Sequence, residues 1–261
     1  MSKPRYARFW KCALQVNPWD YASKYQGRDH GLNESTYNQQ ILQICQSEDI
    51  RVVGIADHGN VDSLNGLRQV LVSGGIVVFP GFEIASSEKA HFVCLFPEST
   101  DESQLNRYLG SLKLTDTQDH VRPSSLSAEQ LLAEVQRLGG FAYAAHCTEK
   151  NGVLNRKLDH VWKNPCLLAA QIPGTLDDLK NDEGNAYRLI LLNKNNDYHR
   201  ERPIGLINAK DIVEPNNLVS SQACCLVRMT NPCFDAFRLA FLDSESRVRL
   251  MSDLSEHFFT Q

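Results

Sequence analysis

Gly75-Ile-Val-Val-Phe-Pro-Gly-Phe-Glu-Ile-Ala-Ser-Ser-Glu-Lys-Ala-His-Phe-Val-Cys-Leu-Phe96 is the stretch that decides the fold. It predicts a strand, a polar turn and a second strand, because two short apolar, β-branched runs flank a polar segment. Glu83 follows the first run and His91 begins the second. Both side chains can bind metals, and barrel enzymes keep their catalytic residues at strand ends. A loop Glu and a strand-end His are common by themselves, so a site requires that other strands end in the same way.

The composition is that of an ordinary soluble globular protein with room for one large domain. The chain has 261 residues, 42% hydrophobic and 22% charged, with a net charge of −4 and a pI near 6.1. This balance excludes a global basic surface for nucleic acid but leaves a local basic groove open. No apolar run reaches the ~20 residues that span a bilayer, and the basic N-terminus lacks the apolar core of a signal peptide. We expect a cytoplasmic protein without a membrane partner.

Elsewhere the chain alternates between apolar runs and segments with helical periodicity. The apolar runs predict strands over residues 9–16, 50–56, 141–147, 203–211 and 223–229. The periodic segments predict helices over residues 33–45, 63–73, 127–138, 177–192 and 233–242. Asn33 and Ser127 are suited to cap two of these helices. Alternating strands and helices predict a parallel α/β sheet or barrel.

Polar side chains, several of them able to bind metals, lie at the ends of these strands. They are Gln15, Asn17, Asp57, His58, Glu83, His91, His146, Asn208, Lys210 and Asp211. If the strands close into a barrel, their ends converge in space. Convergent histidines and carboxylates make a metal site the leading explanation.

Four of these strand ends resemble motifs of the PHP (polymerase and histidinol phosphatase) superfamily. In that family the motifs read T-D-H, P-G-x-E, a histidine-led strand and A-H-P. The matching segments are Ile55-Ala-Asp-His-Gly59, Pro80-Gly-Phe-Glu83, the strand that begins at His91, and Ala144-Ala-His-Cys147. The resemblance implies a single-domain α/β fold, a distorted (β/α)7 barrel over residues 1–250.

The resemblance also implies which residues bind metal, with Zn²⁺ or Mn²⁺ as the ion. Glu83, His91 and His146 correspond to the ligands of one ion, and a hydrogen-bonded polar cluster is the alternative for these three. His58 is either a ligand of a further ion or the hydrogen-bond partner of a neighbouring carboxylate. Asp57 is either catalytic or a structural acceptor that holds its loop.

The first and last motifs of the family are replaced in this chain. Ala13-Leu-Gln15-Val-Asn17 stands for D-x-H-x-H, and Asn208-Ala-Lys210 stands for D-x-H. Neutral amides are weak ligands for zinc or manganese beside imidazole and carboxylate. The charge of Lys210 repels a metal, so this residue is a catalytic candidate that contacts a substrate phosphate, or it forms an internal salt bridge. The resemblance therefore implies the loss of at least one ion from the three-metal cluster of the family.

Three further residues are candidate replacement ligands on residue type alone. Asp29 and His30 lie in a polar loop flanked by glycines, and Asp211 follows the last motif. For His30 the alternative is an ordinary loop histidine outside any site.

The closing segment, residues 225–250, resembles the end of the PHP head in TrlF-type proteins, where an ABC/SMC-like ATPase follows. The chain has no G-x-x-x-x-G-K-[ST] motif. The resemblance therefore implies an ATPase partner, either a separate polypeptide or a missing region to which the tail at residues 251–261 leads.

Two functions remain open from the sequence. The first is a phosphoesterase that uses one or two metal ions, with a nucleic-acid phosphodiester as the preferred substrate and a small phosphate monoester as the second choice. The alternative is a catalytically degenerate PHP domain that serves as a binding or regulatory module for nucleic acid or the ATPase.

Overall fold

The structure is a computed structural model that describes residues 6–114, 122–180 and 182–253. Its strands are β1 Arg8–Val16, β2 Ile50–His58, β3 Val77–Ala85, β4 His91–Leu95, β5 Phe141–Ala144, β6 Ala169–Gln171, β7 Gly205–Ile207, β8 Cys225–Met229 and β9 Val248–Leu250. The α-helices are α1 Tyr21–Gln26, α2 Glu34–Ser47, α3 Leu64–Ser73, α4 Glu102–Ser111, α5 Ala128–Arg137, α6 Asp159–Trp162, α7 Asp182–Leu191, α8 Phe234–Ala240 and α9 Ser244–Arg247. Short 3-10 turns lie at Asn196–Tyr198, Pro215–Val219, Phe241–Asp243 and Met251–Asp253.

All nine strands belong to one sheet in the order β7-β6-β5-β4-β3-β2-β1-β8-β9. The two end strands, β7 and β9, lie in contact, so the sheet is nearly closed into a barrel. This confirms the predicted single-domain α/β barrel. The sheet is mixed, because β4 runs antiparallel to β3 and β5, and β8 and β9 are also antiparallel to their neighbours.

Aromatic side chains of α8 fill the barrel at the end where β1, β2 and β3 begin. Phe234 lies 5.2 Å from Phe79 of β3, and Phe237 lies 5.0 Å from Phe141 of β5, measured between ring centroids. All of these rings are buried, and each fully buried phenyl ring contributes about 1.5–3 kcal/mol to folding. Since this end is filled with apolar side chains, the polar residues of the barrel collect at the opposite mouth.

The two predicted helix caps are confirmed, whereas two predicted strands are too long. The Asn33 side chain accepts the N–H of Thr36, and Ser127 forms a reciprocal capping box with Gln130. The strand predicted over residues 141–147 ends at Ala144, and the one over residues 203–211 covers only Gly205–Ile207. Past these strand ends, the N–H of His146 bonds to the Gln171 side chain, and the N–H of Lys210 bonds to the carbonyl of Gln222.

Two further expectations concern the ends of elements and of the chain. The helix predicted over residues 177–192 covers only Asp182–Leu191. Of the predicted tail at residues 251–261, only Met251–Asp253 are described, as a 3-10 turn, and the remainder lies outside the described residues. In the part of the chain that the structure describes, no helix is both long enough and apolar enough to cross a membrane.

Candidate metal centre

Several predicted site residues meet at the mouth where the parallel strands β1, β2 and β3 end. His58, the last residue of β2, is paired with Glu83 on β3, so both side chains project from the same face of the sheet. His91 is the first residue of β4. Because β4 runs antiparallel to β3, its first residue lies at the edge where the parallel strands end. The reversal of β4 therefore brings His91 to Glu83.

Glu83, His91 and His146 form the centre of this mouth. Their ligand atoms all lie within 4.8 Å of one another, and in the described part of the chain no other group of three His, Cys, Asp or Glu side chains does so. The Nδ1 atom of His91 is 2.6 Å from Oε1 of Glu83, and the rings of His91 and His146 are 5.2 Å apart. One carboxylate and two imidazoles are a known ligand set of catalytic zinc sites, which keep another position for water. These donors therefore fit a divalent transition metal.

The backbone of His146 adopts a left-handed conformation, with φ of 32°. The residue lies in a turn beyond the end of β5 and not on the predicted strand. Gln171, at the end of β6, accepts the N–H of His146 on its side chain at 2.7 Å and the N–H of Cys147 on its carbonyl at 3.0 Å. Gln171 thus holds the turn that presents the imidazole. Sequence reading missed it, since one glutamine at the end of a short strand carries no motif.

His58 lies beside these three residues but outside their group. Its Nδ1 atom is 3.6 Å from Oε2 of Glu83, and its Nε2 atom is 2.9 Å from the hydroxyl of Tyr21. Tyr21 is buried and opens α1, directly after the break that follows β1. The structure therefore shows His58 hydrogen-bonded to a phenol and 3.6 Å from a carboxylate. The sequence signal for Tyr21 was only its position after the first strand.

The charges at the centre favour an ionised Glu83 and a neutral His146. Burial works against ionisation of Glu83, but the nearby His58, His91 and His146 outweigh it and lower the pKa of this carboxyl. Burial also lowers the pKa of His146. A carboxylate and a neutral imidazole are the forms that bind a metal.

The two replaced motifs still occupy the mouth, as amides. Gln15 is buried and donates its Nε2 hydrogen to Oε2 of Glu83 at 2.7 Å. A register irregularity in β1 between Ala13 and Val16 turns the Gln15 side chain into the barrel. Asn208 donates from Nδ2 to the carbonyls of Ile172 at 3.1 Å and of Gly174 at 2.8 Å. The Asn208 amide therefore ties two loop carbonyls together.

Asp211 comes to the mouth through a parallel bridge between Val16 and Ile212. This bridge places Asp211 on the face of the sheet that Gln15 and Asn17 share. Burial, followed by the charge of Glu83, raises the pKa of Asp211 to about 8. Oδ1 of Asp211 and both polar side-chain atoms of Asn17 are buried without a hydrogen-bond partner.

The two residues predicted to be catalytic lie outside the centre. Lys210 is exposed beside the mouth, and its backbone N–H bonds to the carbonyl of Gln222. Asp57 is paired with Phe82 and so faces the opposite side of the sheet from His58. Its Oδ2 atom is 3.9 Å from Nζ of Lys24. Burial, only partly offset by Lys24, raises the pKa of Asp57 to about 7. The catalytic roles of both residues stay predictions.

The loop candidates Asp29 and His30 do not join the centre. Asp29 is exposed and accepts the N–H of Gly31 at 2.8 Å. His30 bonds through Nε2 to the carbonyl of Trp19 at 2.8 Å and stacks on Tyr37 with ring centroids 5.2 Å apart. These contacts shape the loop, and any role of the two residues as ligands stays a prediction.

Comparison with known proteins gives a fold but no family. No family model matches the chain, and no curated protein matches it. Endonuclease Q, solved with a 27-mer duplex that carries an abasic lesion at the active site, has a TM-score of 0.60 over 93% of this chain at 12% identity. A lesion-specific endonuclease from Pyrococcus furiosus has a TM-score of 0.58 over 88% of this chain at 13% identity.

A third solved structure is an amidohydrolase from Chromobacterium violaceum with bound sulfate and no metal. It has a TM-score of 0.50 at 13% identity and covers 93% of this chain and 98% of its own. The chain spans 58% and 55% of the lengths of the two endonucleases. At these identities the likeness is one of architecture, and the chain shares the barrel fold of these structures.

Proposed function

We propose that this protein is a metal-dependent phosphoesterase that hydrolyses nucleic-acid phosphodiesters. The observation that carries the proposal is the convergence of Glu83, His91 and His146 at one barrel mouth. Two strands, β3 and β4, and the β5–β6 turn contribute to this convergence, although packing alone does not require any of the three side chains. Buried ionisable groups that lie together in a barrel mouth are typical of functional sites.

Glu83, His91 and His146 would hold one Zn²⁺ or Mn²⁺ ion. A bound ion of this kind polarises a phosphoryl oxygen and lowers the pKa of a bound water from about 15.7 to about 7. Gln171 fixes the turn of His146, and β4 sets the position of His91 against Glu83. These supports keep the ligands in place without rearrangement.

Nucleic acid is the favoured substrate for two reasons. The barrel is similar in fold to Endonuclease Q, which was solved on duplex DNA. Lys210 is exposed beside the mouth and is free of the metal ligands, so its ammonium group would contact a substrate phosphate.

A second candidate function is a binding or regulatory module without catalysis, for which an ABC/SMC-like ATPase or nucleic acid would be the partner. The amides Gln15 and Asn208 favour it, because both are committed to hydrogen bonds inside the protein. Replacement of metal ligands by such amides weakens catalysis that needs several metal ions to hold the substrate.

One set of measurements separates the two functions. Metal content is measured by elemental analysis of the purified protein, and melting temperature is measured with added Mn²⁺ or Zn²⁺. Hydrolysis is then followed with bis-p-nitrophenyl phosphate and with duplex DNA that contains an abasic site.

The enzyme should bind metal and turn over, and Glu83→Gln should lose both properties. His160→Ala, a change at an exposed histidine, is the control that should keep them. Protein that binds no metal and shows no hydrolysis would be the binding module.

A further inference from the structure

We infer that the centre takes a single divalent ion, because Gln15 and Tyr21 occupy the atoms that a second ion would need. The inference rests on the proposed function, in that Glu83, His91 and His146 are the ligands of the first ion. It goes beyond the loss of at least one ion that the family resemblance implies. The two blocking contacts come from different elements, β1 and α1, and are independent observations.

Gln15 blocks the far oxygen of the carboxylate. In two-metal sites the ions lie about 3.5–4 Å apart, and a carboxylate commonly lies between them. Oε1 of Glu83 faces His91, whereas Oε2 accepts the Nε2 hydrogen of Gln15 at 2.7 Å. An ionised carboxylate only accepts hydrogen bonds, so the amide must present its nitrogen and not its oxygen to Glu83.

The surroundings of Gln15 hold it in this orientation. Gln15 and Glu83 are 2% and 3% exposed, so the hydrogen bond between them is shielded from water. The hydroxyl of Tyr143 lies 3.4 Å from Oε1 of Gln15 and supports the opposite end of the amide. A second ion at Oε2 would require the amide to turn and to give up its buried hydrogen bond to Glu83.

Tyr21 blocks the imidazole that a second ion would use. Nε2 of His58 bonds to the Tyr21 hydroxyl at 2.9 Å, and Nδ1 faces Glu83 at 3.6 Å. Tyr21 is 4% exposed and packs with Ala22 and Val213, so it cannot turn away without opening that cluster. Both nitrogens of His58 therefore face protein groups.

The last motif offers no substitute, but one carboxylate remains at the mouth. The Asn208 amide is bonded to two carbonyls, and Lys210 is a cation. Asp211, on the same face of the sheet as Asn17, is such a carboxylate. If a second ion did bind, Asp211 is the residue that it would need as a ligand.

The test uses Mn²⁺ as the probe and counts ions without relying on activity. Wild-type protein is titrated with Mn²⁺ by calorimetry, and bound Mn²⁺ is examined by electron paramagnetic resonance. We expect one ion per chain and the resolved hyperfine lines of an isolated Mn²⁺. Two ions per chain, or a signal broadened by coupling between two ions, would overturn the inference and leave the proposed function intact. In that case Asp211→Asn would identify the second site by removing it. Protein that binds no ion would overturn both.

Variants of Gln15 and Tyr21 test whether these two residues prevent a second ion from binding. Gln15→Glu together with Tyr21→Phe replaces the blocking amide by a ligand and frees His58, so we expect a second Mn²⁺ and a coupled signal. A double variant that still binds one ion would overturn the roles of Gln15 and Tyr21. Should the double variant not fold, Tyr21→Phe alone should strengthen binding of the first ion, because His58 becomes available; unchanged binding would overturn the role of Tyr21. Tyr6→Phe, a change at an exposed tyrosine, is the matched control and should bind as wild type does.

Discussion

The imidazole of His91 and the carboxylate of Glu83 form a hydrogen bond across the β3–β4 pair, with Nδ1 and Oε1 2.6 Å apart. An ion that binds between them must displace the proton that this hydrogen bond shares. We therefore predict that Mn²⁺ binding releases protons and strengthens as the pH rises from about 5 to about 8, because a metal binds the deprotonated form of its ligands. Calorimetry in buffers of different ionisation enthalpy measures the released protons.

His160→Ala, the exposed control, should show the same pH dependence as wild type. Binding that does not change over this pH range, with no proton released, would show that the ion binds elsewhere.

His146 gives a prediction about backbone conformation that is separate from metal binding. Its φ of 32° is costly for a β-branched residue and better tolerated by asparagine. His146→Asn and His146→Val both remove the imidazole and should both lose the metal. Only His146→Val should also lose about 1–3 kcal/mol of stability in the absence of metal, because it cannot adopt this backbone without strain. Urea unfolding of the two variants measures the difference, and equal stabilities would contradict it.

Much of the fold could be predicted because local signals agree with the tertiary structure. The caps at Asn33 and Ser127, and the apolar face of α8, depend on spacing within a few residues, and the structure reproduces them. The order of the four motifs along the chain was sufficient to predict the barrel. The antiparallel pairing of β8 with β1 was not predictable in the same manner, since an apolar run pairs equally well in either direction.

The site residues that stand in a motif could be predicted from the sequence. The site residues that act only through a long-range contact could not. Glu83, His91 and His146 stand in recognisable motifs, and the structure brings them together. Gln171 and Tyr21 were missed, because each acts through long-range hydrogen bonds that leave no local pattern. Asp57 faces away from His58 because successive side chains of a strand point to opposite faces of the sheet. This argument applies to the two residues once β2 is known to extend to residue 58.

Gly81 in the P-G-x-E motif is required by a close approach of two strands. A Cβ atom at this position would collide with the backbone oxygen of Cys94, and it would also crowd Leu95. Gly81→Ala should therefore destabilise the protein by about 1–3 kcal/mol, as overpacking does. Gly110→Ala is the matched control, since Gly110 lies in α4 with open space around it and should gain about 0.5–1 kcal/mol. Thermal unfolding of both variants tests the pair, and a stable Gly81→Ala would contradict the close approach.

Asp211 predicts how stability depends on pH. Burial raises its pKa in the folded protein to about 8, above the value of about 3.9 for an unfolded chain. The folded state therefore binds this proton more tightly, and the associated stability is complete below about pH 4 and is lost as the pH rises towards about 8. Asp211→Asn cannot ionise, so it should match wild type near about pH 4 and exceed it by at least about 1 kcal/mol near about pH 8.

Melting temperatures across that range check the prediction, with a gap of about 2–4 °C expected for each kcal/mol at the alkaline end. Asp62→Asn, a change at an exposed carboxylate, should show no such trend. A gap that is constant with pH would mean that Asp211 is ionised in the folded protein throughout.

Lys210 separates substrate binding from metal binding. Its side chain is exposed beside the mouth, and its ammonium group is not a metal ligand, so Lys210→Ala should leave Mn²⁺ binding unchanged. If Lys210 contacts a phosphate, affinity for duplex DNA should fall and the salt dependence of binding should weaken by about one charge. Fluorescence anisotropy over a range of salt concentrations measures both effects.

The control for Lys210 is a cation at the opposite end of the barrel. Arg228 is exposed on β8 and is paired with Phe9, near the start of β1. Arg228→Ala removes the same charge from the protein as a whole, so any general effect of net charge on DNA binding should appear in both variants. A loss of affinity confined to Lys210→Ala would place the phosphate contact at the mouth. Equal losses in the two variants would mean that Lys210 contributes only to the overall field.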